Sequence, residues 1–265
     1  MDSHVHIPTT SKLAGYVTAV WELIGGYATK ETILPQGVVE MVFNLGDPMT
    51  GRTPGVQPSH AAPRCFIQGV NTELVQVAYE GQQHLFGIRL HPGMVKSLLG
   101  IMPFELKNTQ IDLTLIKRQY NSLWHQLKET LSFEARVKII EDAFPVLSEA
   151  DCVRTHKLCS LFLQDGLHGF QTINDLSEQV YYSTRQLNRK TQSLFGISTE
   201  ELITYKKYLH AVKLMHYKDQ SLTAVAYEAG FFDQAHFCRI FKSYTGITAR
   251  QYRQQKSELP YHLFA

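Results

Sequence analysis

The last hundred residues use one short plan twice, and that repetition limits what the chain can fold into. A helix-capping residue opens a short segment with apolar periodicity, a turn follows, and a second capping residue opens a segment with one apolar and one long polar face. In the later copy Ser221 precedes Leu222–Ala229, Gly230 suits a left-handed turn position, and Asp233 precedes Gln234–Tyr244. In the earlier copy Thr172 precedes Ile173–Val180 and Ser183 precedes Thr184–Leu194. The spacing predicts two helix-turn-helix units. Val153–Gln164 and Thr199–Tyr217 read as helices before and between them.

The second helix of such a unit enters the major groove of duplex DNA, so it needs apolar residues inward and long donors outward. The earlier segment turns Leu187 and Leu194 inward and presents Arg185, Asn188 and Arg189. The later one turns Phe237, Ile240 and Phe241 inward and presents Gln234, His236, Arg239 and Lys242. Arginine pairs with guanine through two hydrogen bonds, and asparagine or glutamine does so with adenine. Lys242 and the amides at the helix starts suit phosphates, which fix register rather than sequence. Taken singly, each polar residue fits a solvated helix face, and the imidazole of His236 is a less defined base reader than a guanidinium. The tandem repeat favours DNA.

A resemblance sharpens this reading. The run Leu222-Thr223-Ala224-Val225-Ala226-Tyr227-Glu228-Ala229-Gly230-Phe231 is followed by Asp233-Gln234-Ala235-His236-Phe237-Cys238-Arg239-Ile240-Phe241-Lys242. With Thr245-Gly246-Ile247 and Tyr252-Arg253, it resembles the signature of AraC/XylS-type activators. Leu176, Ser183, Arg185-Gln186-Leu187, Arg189 and Gly196-Ile197-Ser198 fit the earlier unit of that pattern. The resemblance implies a transcriptional regulator that reads two successive major grooves, about one helical turn apart, with Thr199–Tyr217 as the joining helix. Promoter or operator DNA and RNA polymerase are the partners it implies. Six residues depart from the pattern: Ser177 replaces the usual Ala, Tyr181 a turn Gly, Thr191 a Phe, Lys207 an Arg, and Thr199 and Ala249 a Pro. Most of them fall in the first unit, which is expected to pack more loosely and to add less affinity.

At 265 residues the chain suggests two domains, and 44% hydrophobic against 19% charged residues suits folded cores. Upstream of the repeat the texture is β-rich. Val38–Leu45 and Cys65–Val70 read as strands, Thr50–Pro63 as a loop, and Leu74–Glu80 with His84–Leu90 as a hairpin around Gly81. Residues 8–28 fit either a helix or a strand. Ile116, Tyr120, Leu123, Leu127 and Leu131 recur at helical spacing, with a second helix over Phe133–Leu147; both helices suit covering a sheet or forming a dimer seam. The expected fold class is α+β. A β-rich, barrel- or cupin-like effector and dimerisation domain with helices spans 1–150, an all-α double helix-turn-helix domain spans 151–256, and a tail spans 257–265. Pro35-Gln36-Gly37, Val42–Gly46, Phe86–Gly93 and Leu98-Leu99-Gly100 resemble an uncharacterised sensor-like domain that precedes such DNA-binding modules. It implies a small-molecule effector of unnamed class. Arg89 and His91 suit an anion there, although strand alternation favours a solvent-facing or carboxylate-paired Arg89.

Charge agrees with this division: residues 1–150 hold 12 Lys/Arg against 14 Asp/Glu, and 151–265 hold 14 against 10. The four cysteines, Cys65, Cys152, Cys159 and Cys238, have no metal-ligand spacing, and free thiols suit a reducing cytoplasm. No secretory leader or membrane span is expected, and no cofactor. No nucleophile elbow, P-loop, dinucleotide turn or HExxH occurs, so an enzyme is not expected. Two rival classes remain. A metal-dependent cupin-type enzyme is suggested by His4-Val5-His6, yet residues 7–21 contain no carboxylate to complete its site. The other rival is a protein-interaction protein that keeps the helical fold.

Overall fold

The computed structural model describes residues 2–25, 30–52, 60–145, 153–164 and 172–264. Two antiparallel sheets form the N-terminal half. The larger has the order β1 (Asp2–His6), β2 (Val17–Gly25), β9 (Gln83–Leu90), β4 (Val39–Asn44), β7 (Cys65–Gln68) and β10 (Gln110–Asp112). The smaller has the order β11 (His262–Phe264), β3 (Lys30–Ile33), β8 (Val75–Tyr79), β5 (Met49–Arg52) and β6 (His60–Ala61). The ambiguous stretch 8–28 resolves largely into β2, whose β-branched Val17, Thr18, Val20 and Ile24 suit a pleated surface. Part of the expected loop after Thr50 is strand, in β5 and β6.

The expected hairpin is corrected. β8 and β9 are both strands, but they lie in different sheets and do not pair with each other. Instead β4–β5 and β8–β9 run side by side and bend together from one sheet into the other. At the bend Leu45 and Gly46 donate backbone N–H groups to His84 O, Asp47 donates to Gln82 O, and Glu80 donates to Pro48 O. The Asp47 carboxylate accepts from the Gln82 N–H at 2.7 Å. Alternation sets the face of each residue within a strand and carries no information about the neighbour across the ladder.

Short helices α1 (Val95–Leu99) and α2 (Leu113–Ile116) lead to α3 (Gln119–Glu129) and α4 (Phe133–Ala143). Tyr120, Leu123, Trp124, Leu127, Val137 and Ile140 join the same buried cluster as Met41, Phe43 and Phe86 of the larger sheet. The apolar faces of both helices therefore cover their own sheet. Arg136, buried on α4, donates to Leu127 O at 2.9 Å and to Glu22 Oε1 at 2.7 Å, tying this helical pair to β2.

The C-terminal half is helical: α5 (Val153–Leu163), α6 (Ile173–Val180), α7 (Thr184–Phe195), α8 (Thr199–Tyr217), α9 (Leu222–Glu228), α10 (Gln234–Thr245) and α11 (Ala249–Gln255). It docks closely on the sheets. Tyr205 and Tyr208 of α8 are fully buried and donate to Asn71 O at 2.6 Å and Pro35 O at 3.2 Å. Gly37 holds φ at +71°, and a Cβ there would lie 2.7 Å from Leu209 Cδ1. The Pro35-Gln36-Gly37 turn is thus the seat for α8. Residues 257–265, expected as a tail, contain β11, which pairs with β3 and returns the chain end to the N-terminal half. There Glu31, buried, accepts from Tyr79 Oη at 2.6 Å and pairs with His262 Nδ1 at 2.5 Å.

Candidate nucleic-acid interface

Each helix of the two units starts on a side-chain cap. Thr172, Ser183, Ser198, Ser221, Asp233 and Thr248 occupy N-cap positions and accept from backbone N–H groups of the following turn. From α7 onward the two units repeat at a spacing of fifty residues: Ser183 matches Asp233, Leu187 matches Phe237, Arg189 matches Arg239, and Gly196 matches Gly246. Leu187, Phe237 and Phe241 are fully buried, which fixes the opposite faces of α7 and α10 toward solvent.

On α7 the solvent face holds Arg185, Arg189 and Gln192; on α10 it holds Ala235, Arg239, Lys242 and Ser243. Arg185, Arg189, Arg239 and Lys242 form no side-chain hydrogen bond or ion pair with the described residues, so their donors face outward. Three other candidates are engaged within the protein. Gln234 accepts at Oε1 from Thr223 Oγ1 at 2.6 Å. The imidazole of His236 is half-buried and sets its ring edge-on to Phe231, with centroids 5.5 Å apart. Asn188 accepts at Oδ1 from the Thr199 N–H at 3.1 Å. Sequence reasoning missed Gln192, although it lies one further turn along the Arg185–Arg189 face and matches Lys242 in the repeat. It also missed α11, whose Thr248 cap and Gln251 form a capping box.

The supporting frame is aromatic in one unit and partly polar in the other. Phe231, Phe237, Phe241 and Tyr252 form a contiguous set of ring contacts with centroids 5.4 to 5.9 Å apart. Burial pushes the Tyr252 and Tyr244 hydroxyls up to about 12. Glu201 closes the capping box of α8; its hydrogen bonds from Ser198 hold its carboxyl below the usual range.

The cupin-type alternative looks different in three dimensions. His4, Glu22 and His84 stand on three neighbouring strands, β1, β2 and β9, which supplies the carboxylate and further histidine not visible near His4-Val5-His6. The Arg136 guanidinium occupies the place of a cation there: Glu22 Oε1 accepts from both Arg136 and His84, at 2.7 and 2.9 Å. Among the described residues no group of three His, Cys, Asp or Glu side chains is placed to hold a metal ion. Arg89 pairs with Glu40 at 2.6 Å, which is the carboxylate-paired alternative. A cavity of about 190 Å³ lies on the other flank, lined by Arg64, Cys65, Asp112, Thr114, Asn121 and Trp124. Among the described residues no helix is long and apolar enough to cross a membrane.

Two helix-turn-helix units sharing one joining helix and seated on a two-sheet domain define the class of this molecule. The model of a helix-turn-helix domain matches residues 176–255 of the chain, and that of a domain of unknown function, DUF6597, matches residues 5–112. Its curated relatives include an uncharacterized HTH-type transcriptional regulator of Staphylococcus aureus, 27% identical over 118 residues, which are 41% of this chain and 16% of that protein. Another, from Haemophilus influenzae, is 33% identical over 85 residues, covering 32% of this chain and 28% of that protein. The chain thus spans only a small part of the curated regulators it matches. Among solved structures, apo ToxT from Vibrio cholerae shares the fold with a TM-score of 0.50 at 13% identity, over 95% of this chain and 100% of that one.

Proposed function

We propose that the protein is a sequence-specific, double-stranded-DNA-binding transcriptional regulator that lays α7 and α10 into successive major grooves. The observation that carries this reading is the fifty-residue repeat, which sets the guanidinium groups of Arg189 and Arg239 at equivalent, outward-facing positions on two capped helices. Arg185 adds a base-reading donor on α7, and Lys242 with the helix N-terminal amides holds phosphates. RNA polymerase and a second copy of the chain are the protein partners this reading implies.

The regulatory half of the proposal is that an effector bound by the N-terminal domain alters how that domain holds α8. A ligand shifts the protein only through unequal affinity for two states. The seat at Pro35-Gln36-Gly37 and the β11–β3 pairing are the contacts that such states would differ in. Selection from a random duplex pool tests the DNA reading. Two half-sites with centres about one helical turn apart are the expected product. An unenriched pool would speak for the interaction-protein alternative instead.

A further inference from the structure

We infer that the Thr199 backbone determines which base the first reading helix accepts, by turning Asn188 Oδ1 toward α8 so that Nδ2 is the amide atom presented to a base. This rests on the DNA-binding reading above and names a specificity within that same site. Asn188 sits on the flank of α7 that faces the start of α8, and its Oδ1 accepts from the Thr199 N–H at 3.1 Å. A backbone N–H only donates, so chemistry fixes which amide atom faces α8 and which is left for solvent. Thr199 is the first residue of α8, where the N–H has no partner within the helix, and Asn188 supplies one.

Two buried hydroxyls lie beside this contact. Thr191 Oγ1 donates to Asn188 O at 3.0 Å and lies 3.2 Å from Thr199 Oγ1, and both threonines are buried. The matching positions of the second unit are Cys238, Phe241 and Ala249, whose side chains have neither an amide nor a hydroxyl. The two threonines that depart from the AraC/XylS-type pattern therefore belong to one network around Asn188. Asn188 itself remains exposed.

A free asparagine meets adenine with both amide atoms, accepting from N6 and donating to N7. With Oδ1 held against α8, Nδ2 is the atom left for a base, and it requires an acceptor. Guanine O6 and N7, thymine O4 and adenine N7 provide one; cytosine offers its N4 amino donor and is rejected. Thr199 is thus a positioning residue that acts through Asn188.

The test uses the full chain and its selected duplex, with all four bases placed at the position whose preference Asn188→Ala erases. The wild type should bind the cytosine duplex about tenfold more weakly than the other three, which should differ little among themselves. Thr199→Pro removes the N–H together with the hydroxyl, at a first-turn position that proline tolerates, behind a Ser198 already in extended backbone, and Thr199→Ala, which removes the hydroxyl alone, is its control. Thr199→Pro should turn the ranking toward adenine by about tenfold, whereas Thr199→Ala, which keeps the N–H, should leave it unchanged. Asn188→Asp keeps the acceptor for Thr199 but removes the donor and should favour cytosine. Amide exchange gives a readout without DNA: the Thr199 N–H should be protected in the wild type and in Asn188→Asp, and fast in Asn188→Ala. Selective binding with an adenine preference that Thr199→Pro leaves unaltered, or with Asn188→Ala silent at every position, overturns the clamp alone. Fast Thr199 exchange in the wild type also overturns it. Absence of any sequence-selective binding overturns the DNA reading and this specificity with it, even where the exchange result stands.

Discussion

The two helix-turn-helix units share side-chain caps and a joining helix, yet they solve the same packing problem with different chemistry. In the second unit Gly230 takes the left-handed turn position at φ +79°, and Phe241 closes the core within an aromatic cluster. In the first, Tyr181 takes the left-handed position at φ +56°, and Thr191 stands where Phe241 stands in its counterpart. The expected looseness of the first unit is not what burial shows: Leu176, Leu187, Thr191 and Phe195 are all buried to 1% exposure or less. Its deficits are met by local polar contacts. The Ser177 hydroxyl donates to Tyr182 O across the turn, Lys157 Nζ lies 4.4 Å from the centre of the exposed Tyr181 ring, and Thr191 bonds within the Asn188 network. The lesson is that a polar core position can be as enclosed as an apolar one while adding a directional link within α7 and to α8. The second unit gains cohesion; the first gains a constraint on one side chain.

The largest expected effect separates these two cores. Phe241→Ala should destabilise the protein by about 3–5 kcal/mol in denaturant titrations, whereas Thr191→Ala should cost about 1 kcal/mol, the worth of a modest buried hydrogen bond. Equal losses would break the comparison. On DNA, Arg239→Ala should cost about 1–3 kcal/mol at one base position and relax preference there. Lys242→Ala should weaken all sequences alike and reduce the salt slope by about 1. Identical losses on selected and random duplexes for both variants would remove the assigned roles. Tyr181→Gly should stabilise the first unit by up to about 1 kcal/mol, since relief of the left-handed backbone outweighs the lost ring contact with Lys157; Gly230→Ala should do the reverse, and thermal melts compare the pair.

The smallest effect concerns acid. Glu201 has a folded-state pKa below its ordinary value, so its contribution is present above that ordinary value and disappears as pH falls through the folded one. Glu201→Gln keeps an acceptor for the Ser198 N–H and should flatten the acid limb of stability below about pH 5, by less than about 1 kcal/mol because the group is exposed and screened. An unchanged acid limb would remove this carboxylate from the account.

Local chemistry was legible in the sequence and tertiary pairing was not. The caps at Thr172, Ser183, Ser221 and Asp233 and the helices they open depend on residues within one turn, so they follow from the chain order itself. The strands β8 and β9 were visible as alternation, but their partners β5 and β4 lie far away in the chain, and nothing in alternation selects between a hairpin and a shared bend. β11 is three residues long and becomes a strand only because β3 offers an edge. Of the candidate residues, Arg185, Arg189, Arg239 and Lys242 owe their outward placement to helical spacing alone. Asn188, Gln234 and His236 do not: their engagement with Thr199, Thr223 and Phe231 comes from neighbouring elements and decides what each has left to offer.

The central claim is that two outward helix faces read duplex DNA, and binding as a function of salt tests it most directly. Affinity of the full chain for its selected duplex and for a random duplex should be followed by anisotropy between about 50 and 200 mM salt. The account predicts a steep fall in log affinity for both duplexes, parallel in slope, with the selected duplex about a thousandfold tighter at each salt concentration. Salt-independent binding, or equal affinity for the two duplexes throughout, would contradict it.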